Sequence, residues 1–179
     1  MKQKICFITG SRAEYGLLKN LIFESYNSKS LATQVLVTGS HLSKSSGFTV
    51  KEIEEDGIAI SARVEIHSSQ EDDEKISQVF GRAVDKISDQ LEKLKPNLVV
   101  LLGDRYEILS AAISCMLLRI PIAHIHGGET TEGVIDEAIR HSITKMSYLH
   151  FVACDDYKKR VIQLGEDPSR VFNYGAMAL

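Results

Sequence analysis

Ionisable side chains in this 179-residue sequence crowd into a few short glycine-bearing stretches, each directly after a run of apolar residues. The densest is His124-Ile125-His126-Gly127-Gly128-Glu129-Thr130-Thr131-Glu132-Gly133. There, His126 and Glu129 offer proton-transfer groups on either side of two glycines that would let the backbone come close to a ligand. So glycine-rich a loop reads as chosen for a site rather than for packing. Upstream, Gly103-Asp104-Arg105-Tyr106-Glu107 sets an acid at a strand end, where it could enter chemistry or only cap the helix that follows. Downstream, Asp136-Glu137-Ala138-Ile139-Arg140-His141-Ser142-Ile143-Thr144-Lys145 reads as a helix with Asp136 and Arg140 on one face at i and i+4, a surface pair or the wall of a site.

Two further stretches repeat the pattern. Gly10-Ser11-Arg12-Ala13-Glu14-Tyr15-Gly16 opens a helix whose free N–H groups, with Arg12, could hold a phosphate or a sugar carboxamide, although Gly and Ser there are also ordinary capping residues. Thr38-Gly39-Ser40-His41-Leu42 adds a lone loop histidine, a residue more often at the surface than in catalysis. One crevice would then receive Arg12, Asp104, His126, Glu129, Asp136 and Arg140. Several motifs are missing: the Gly-Lys-Ser/Thr ending of a nucleotide-binding P-loop, the Gly-x-Gly-x-x-Gly dinucleotide pattern, a His-Glu-x-x-His zinc helix and a nucleophile elbow. The economical chemistry is acid/base work by crowded carboxylates, with no metal and no cofactor.

The elements that must position these residues alternate regularly. Apolar runs at 5–9, 34–38, 62–66, 98–102, 122–125, 149–153 and 171–174 predict strands, several without polar alternation, as strands buried on both faces should be. Helical spacing at 14–26, 48–56, 75–94, 106–118, 136–146 and 155–164 predicts helices between them, with Ile135, Ile139 and Ile143 on one buried stripe. The fold class expected is α/β: a Rossmann-like, mostly parallel sheet with helices on both faces, whose ligand crevice lies outside the carboxyl ends of the strands. The polar, acidic segment 67–74 reads as a surface connection, and the stop at 175–179, directly after a strand, as a domain edge.

A net charge of −3 gives no electrostatic reason to expect nucleic acid or an anionic membrane as partner. No run approaches the roughly 18 apolar residues of a membrane span, and Cys6, Cys115 and Cys154 read as buried thiols of a reducing compartment. A soluble cytoplasmic protein is expected.

Together these motifs resemble the hydrolysing UDP-N-acetylglucosamine 2-epimerases, over essentially the whole chain. The resemblance implies the N-terminal half, residues 1–179, of a two-domain glycosyltransferase-B-type fold, with the UDP-binding half absent and homo-oligomers in the longer form. It implies a reaction that turns a UDP-amino sugar and water into UDP and the free 2-epimer, by elimination of UDP to a glycal and then hydration, in a route to sialic or legionaminic acid. On that basis Asp104, His126, Glu129 and Asp136 are the catalytic candidates. Gly10, Arg12, Glu14, His41, Arg105, Arg140 and His141 are the substrate-contacting ones. In some relatives a glutamate stands where this sequence has His126, so proton transfer falls to His126 or to Glu129. Two rivals remain: a non-hydrolysing epimerase that keeps UDP attached, and a nucleotide-sugar-binding domain without chemistry. Because much of the UDP contact is expected from the absent half, residues 1–179 alone should release UDP from the substrate at a negligible rate; a coupled UDP-release assay showing robust turnover would contradict this.

Overall fold

The structure, a computed structural model, describes residues 2–68, 74–132 and 135–177. Its elements run β1 (Gln3–Thr9), α1 (Arg12–Asn27), β2 (Leu31–Thr38), α2 (Val50–Glu55), β3 (Ala62–Val64), α3 (Ile76–Leu94) and β4 (Leu98–Leu102). Then follow α4 (Tyr106–Leu117), β5 (Ile122–Ile125), α5 (Asp136–Met146), β6 (Leu149–Val152), α6 (Asp155–Gln163) and β7 (Val171–Asn173). All seven strands pair in parallel, in the order β3-β2-β1-β4-β5-β6-β7. The expected fold class is the one found, and the elements fall within a few residues of the predicted spans.

Alternation along each buried strand sorts its side chains between two cores. Cys6, Ile8, Val99, Leu101 and Ile122 pack against α3, α4 and α5 through Val79, Ala83, Ile87, Ile108, Ala111 and Ile143. Phe7, Val35, Val37, Val100 and Ala123 face the other way, onto Tyr15, Leu18 and Ile22 of α1 and Val50 and Ile53 of α2. Helix α3 leaves its last turn at Lys95, in the left-handed region at φ 49°, just ahead of Pro96 and β4. An apolar cavity of about 500 Å³ lies on the α1 side over Phe7, Val100, Ile125 and Phe151, lined mainly by apolar side chains rather than by the polar loops.

Strand order decides where the chemistry sits. The chain steps outward from β1 to β3, then crosses back so that β4 lies on the other side of β1, and the loops after β1 and β4 diverge to opposite faces. Between them opens the crevice that open parallel sheets use for ligands.

Some expectations fail at the edges. Ile135 is 62% exposed rather than on the buried stripe of α5, because it stands at the N-cap, before the helix turns its face to the core. Cys154, also an N-cap, is only part-buried, unlike Cys6 and Cys115. Of the polar connection at 67–74, residues 69–73 lie outside the described residues, and Glu74 folds inward to accept from Ser68 N–H at 3.0 Å and to pair with Arg82 at 2.6 Å.

Candidate active site

Four of the predicted site residues form two ion pairs beyond the ends of β4 and β5. Asp104 does not cap α4: the N-cap is Arg105, with no side-chain cap bond, and the Asp104 carboxylate turns instead to Arg140 of α5. Arg140 is 6% exposed, and its Nη2 donates both to Asp104 and, at 2.9 Å, to Thr131 Oγ1. Its Nη1 is buried with no partner among the described residues. A cation this far from water needs such an anion, and breaking the pair would leave a charge stranded. The i, i+4 pairing of Asp136 with Arg140 is therefore not made. Asp136 is part-buried in the first turn of α5, one turn before Arg140, with no ion pair among the described residues.

Beside this pair stands a second. His126 Nδ1 lies 2.9 Å from Glu129 Oε1, while the backbone N–H of Met177 donates to His126 Nε2 at 3.3 Å. Those two contacts assign the tautomer: the proton is on Nδ1 and the lone pair on Nε2. The hydrogen bond from His126 holds Glu129 below the usual carboxylate range, against the opposing effect of burial, and Arg140 contributes a smaller pull in the same direction. His126 itself takes φ 65°, in the left-handed region that few residues other than glycine adopt.

The glycines of this loop serve a purpose other than the one expected. A Cβ on Gly127 would stand 3.1 Å from Thr144 Oγ1 and 3.2 Å from His124 Nδ1. On Gly128, at φ 79°, it would come within 2.5 Å of the Tyr157 carbonyl and 2.9 Å of Val161 Cγ2. Both glycines let the loop press against α5 and α6, so here packing, not a ligand, demands them. Gly133 and Val134, further along, lie outside the described residues.

The remaining candidates divide. Arg12 is exposed and pairs with Glu52 of α2 at 2.8 Å, away from the Asp104 cluster. His41 was expected at a ligand; it is fully buried, with Nε2 3.1 Å from Thr9 Oγ1 and Nδ1 2.8 Å from Thr49 Oγ1. Burial pulls it down to about 4, so it is a neutral strut joining β1 to α2. His141 lies 3.4 Å from Glu137 on its own helix. Gly10 and Glu14 are also buried: Gly10 N–H donates to Glu14 Oε2 at 2.7 Å and Ser11 Oγ accepts from Glu14 N–H at 3.4 Å, a near relative of the capping box. Arg105 donates to Glu107 from Nε and Nη2 at 3.2 and 3.0 Å.

Sequence reasoning passed over Glu107, Thr131 and His124. His124, fully buried, meets Gly103 O at 3.0 Å and Thr144 Oγ1 at 3.2 Å and is pulled down to about 4 by burial, which fixes the end of β5 against that of β4. Glu107 had a legible signal: it is an acid on the buried face of a helix otherwise made of apolar and small residues. Among the described residues no group of three or more His, Cys, Asp or Glu is arranged to hold a metal ion, and no helix is long and apolar enough to cross a membrane.

Comparison with known proteins bears on the family and the fold. Residues 24–179 match the family model described as UDP-N-acetylglucosamine 2-epimerase. The chain belongs to that family. Over 177 residues it is 49% identical to the GDP/UDP-N,N'-diacetylbacillosamine 2-epimerase (hydrolyzing) of Campylobacter jejuni, covering 99% of this chain and 46% of that protein. Over 175 residues it is 42% identical to polysialic acid biosynthesis protein P7 of Escherichia coli, covering 98% of this chain and 45% of that one. The chain thus spans about half the length of the curated relatives it matches. The solved Neisseria meningitidis UDP-GlcNAc 2-epimerase bound to UDP-GlcNAc superposes with a TM-score of 0.86 at 20% identity, over 98% of this chain and 47% of that one, which establishes the shared fold.

Two stability tests follow from the packing of family motifs. Gly128→Ala should cost about 2–4 kcal/mol from overpacking and a disfavoured φ, whereas Gly16→Ala, with nothing within 4 Å of its added Cβ, should be neutral or stabilising. Equal melting temperatures for the two variants would refute the packing role. Glu14 is pushed up to about 7, first by burial and then by the Glu107 charge, against the Gly10 N–H bond. A carboxyl raised in the fold binds more protons folded than unfolded between its ordinary value of 4.5 and about 7, so stability falls as pH rises through that window. Glu14→Gln removes this loss, and urea titrations should show the variant gaining about 1–3 kcal/mol on wild type between about pH 4 and pH 8. A pH-independent difference would contradict the assignment.

Proposed function

We propose that the protein of which this chain forms part is a hydrolysing 2-epimerase acting on a UDP-linked N-acetylated amino sugar, releasing UDP and the free 2-epimer. The observation that carries the reading is two ion pairs, Asp104–Arg140 and His126–Glu129, formed by residues that follow β4 and β5, with the Arg140 charge also acting on Glu129. The names of the relatives support hydrolysis and a 2,4-diacetamido or sialic-acid-type sugar. The unpaired cysteines accord with a cytoplasmic site.

The chemistry needs two proton-transfer groups. In the elimination the C2 proton goes to a base, C1=C2 forms, and the C1–O bond breaks with its electrons leaving on UDP. In the hydration, water oxygen adds to C1 and a proton returns to C2 from the opposite face, which a single group on one side cannot do. His126 Nε2 carries the lone pair, which accepts from the Met177 N–H in this structure and takes a proton once that contact opens, with Glu129 orienting the ring and stabilising the imidazolium that forms. Asp104, its carboxylate fixed by Arg140, is the second group; Asp136 stands one turn away on α5 as a further acid. Arg140 Nη1, buried and with no partner among the described residues, offers a donor for a substrate oxygen.

Full-length protein incubated with UDP-GlcNAc or its 4-acetamido-6-deoxy analogue in D₂O and ¹⁸O-water tests this. The expected product is a free sugar of inverted C2, deuterated at C2 and labelled at the C1 oxygen, together with UDP. An intact, epimerised nucleotide sugar, or binding without products, would overturn the reading. Asp104→Asn should lower turnover about 10²–10⁴-fold, measured below the variant's melting transition, which should itself fall because Arg140 loses its buried anion; wild-type rates in that variant would remove Asp104 from the chemistry.

A further inference from the structure

Where the strand order reverses between β1 and β4, the molecule holds a charged cluster that none of the proton transfers above uses. Glu107 is completely buried in the first turn of α4, and both its oxygens accept from Arg105. Its side chain runs beneath two backbones: a Cβ on Gly10 would stand 3.3 Å from Glu107 Cβ, and one on Gly39 would stand 3.1 Å from Glu107 Oε1 and 2.7 Å from Gly10 O. Ser40 Oγ donates to Gly10 O at 2.9 Å, closing the loops after β1 and β2 over the carboxylate. Glu14, 5% exposed, presses a second carboxyl against the group, and its Oε1 has no partner among the described residues.

Two buried carboxyl groups in such proximity cost desolvation and mutual repulsion that an apolar pair of the same volume would avoid. Packing alone does not account for them. What they hold is Arg105, the one member of the cluster that reaches solvent: its side chain is 47% exposed. The Nε and Nη2 contacts to Glu107 use one edge of the guanidinium, which leaves Nη1 and the second Nη2 hydrogen directed elsewhere. A planar cation gripped along one edge and open along the other is suited to phosphate oxygens, and it stands at the strand reversal, where open sheets bind ligands.

We propose that Glu107 is a positioning residue: it fixes Arg105 in the orientation that presents the free guanidinium edge to the diphosphate of the nucleotide sugar, with Glu14 and the Gly10 and Gly39 backbones holding Glu107 in place. This rests on the reading of the crevice as a nucleotide-sugar site. A freely rotating Arg105 would have to be ordered by the ligand at the ligand's expense in affinity, whereas the gripped one is ordered in advance.

The test uses the full-length enzyme with Arg105→Gln, Glu107→Gln and the double variant. It reads kcat and KM for the substrate found in the product analysis, the Kd for UDP by calorimetry, and melting temperature. Each single variant should raise KM and the UDP Kd about tenfold to a hundredfold while kcat changes less than about threefold. The double variant should bind no worse than Arg105→Gln alone, because Glu107 acts only through Arg105. Should Glu107→Gln fail to fold, Glu107→Met, which fills the same space without charge, is held to the same criteria. Wild-type KM and UDP affinity in a folded Glu107 variant, or additive losses in the double variant, overturn the proposal while leaving Arg105 as a ligand. Unchanged binding in Arg105→Gln overturns it as well, and release of UDP and free epimer by the wild type then shows that the reaction itself still stands.

Discussion

Charge that is shut away from water has to be matched, and the polar rim of this domain is built around that constraint. Arg140 and Glu107 are both enclosed by the fold, and each binds an opposite charge: Arg140 of α5 holds Asp104 across the fold, and Glu107 holds Arg105 two residues back at the start of α4. The adjacent residues 104 and 105 are thereby gripped from different directions, one by α5 and one by the first turn of α4. The segment between β4 and α4 has little freedom left. A short connection that would otherwise be mobile becomes the fixed centre of the crevice.

The sheet supplies what those pairs need. Parallel strands place every β-to-α connection at the same edge, and the reversal between β1 and β4 separates two neighbouring connections enough to admit a ligand. On one side lie Gly10 and Gly39, where a Cβ on Gly39 would stand 2.7 Å from Gly10 O and one on Gly10 would stand 3.3 Å from Glu107 Cβ. On the other lie His126 and Glu129, whose loop is pressed onto α5 and α6 by Gly127 and Gly128. The glycines act as contact points between backbones, and rigidity at the rim comes from their lack of side chains. Preorganisation of this kind is what proton transfer to and from a sugar carbon requires, since a misplacement of about 1 Å costs orders of magnitude in rate.

Charge state follows from the same geometry. His41 and His124, enclosed and hydrogen-bonded at both nitrogens, are neutral struts. His126, less enclosed and with the Glu129 carboxylate behind it, is the histidine to which the proposed function gives the proton. Three histidines in similar glycine-bearing motifs thus divide by burial.

The sequence by itself determined the α/β class, the alternation of elements and the loops in which chemistry would lie, because hydrophobic periodicity and glycine placement are local properties of the chain. It also identified Asp104, His126, Glu129 and Arg140 as residues of interest by type and position. Pairing was beyond its reach: Arg140 passes over Asp136, four residues away, for Asp104 on another element, and His41, which looks like a loop residue, is fully enclosed. Glu107 stayed hidden in an apolar run, although an uncompensated acid there was itself a signal. Only the tertiary structure could decide these points, since which charges meet, and which lose water, depends on crossovers that bring residues tens of positions apart to one edge of a sheet.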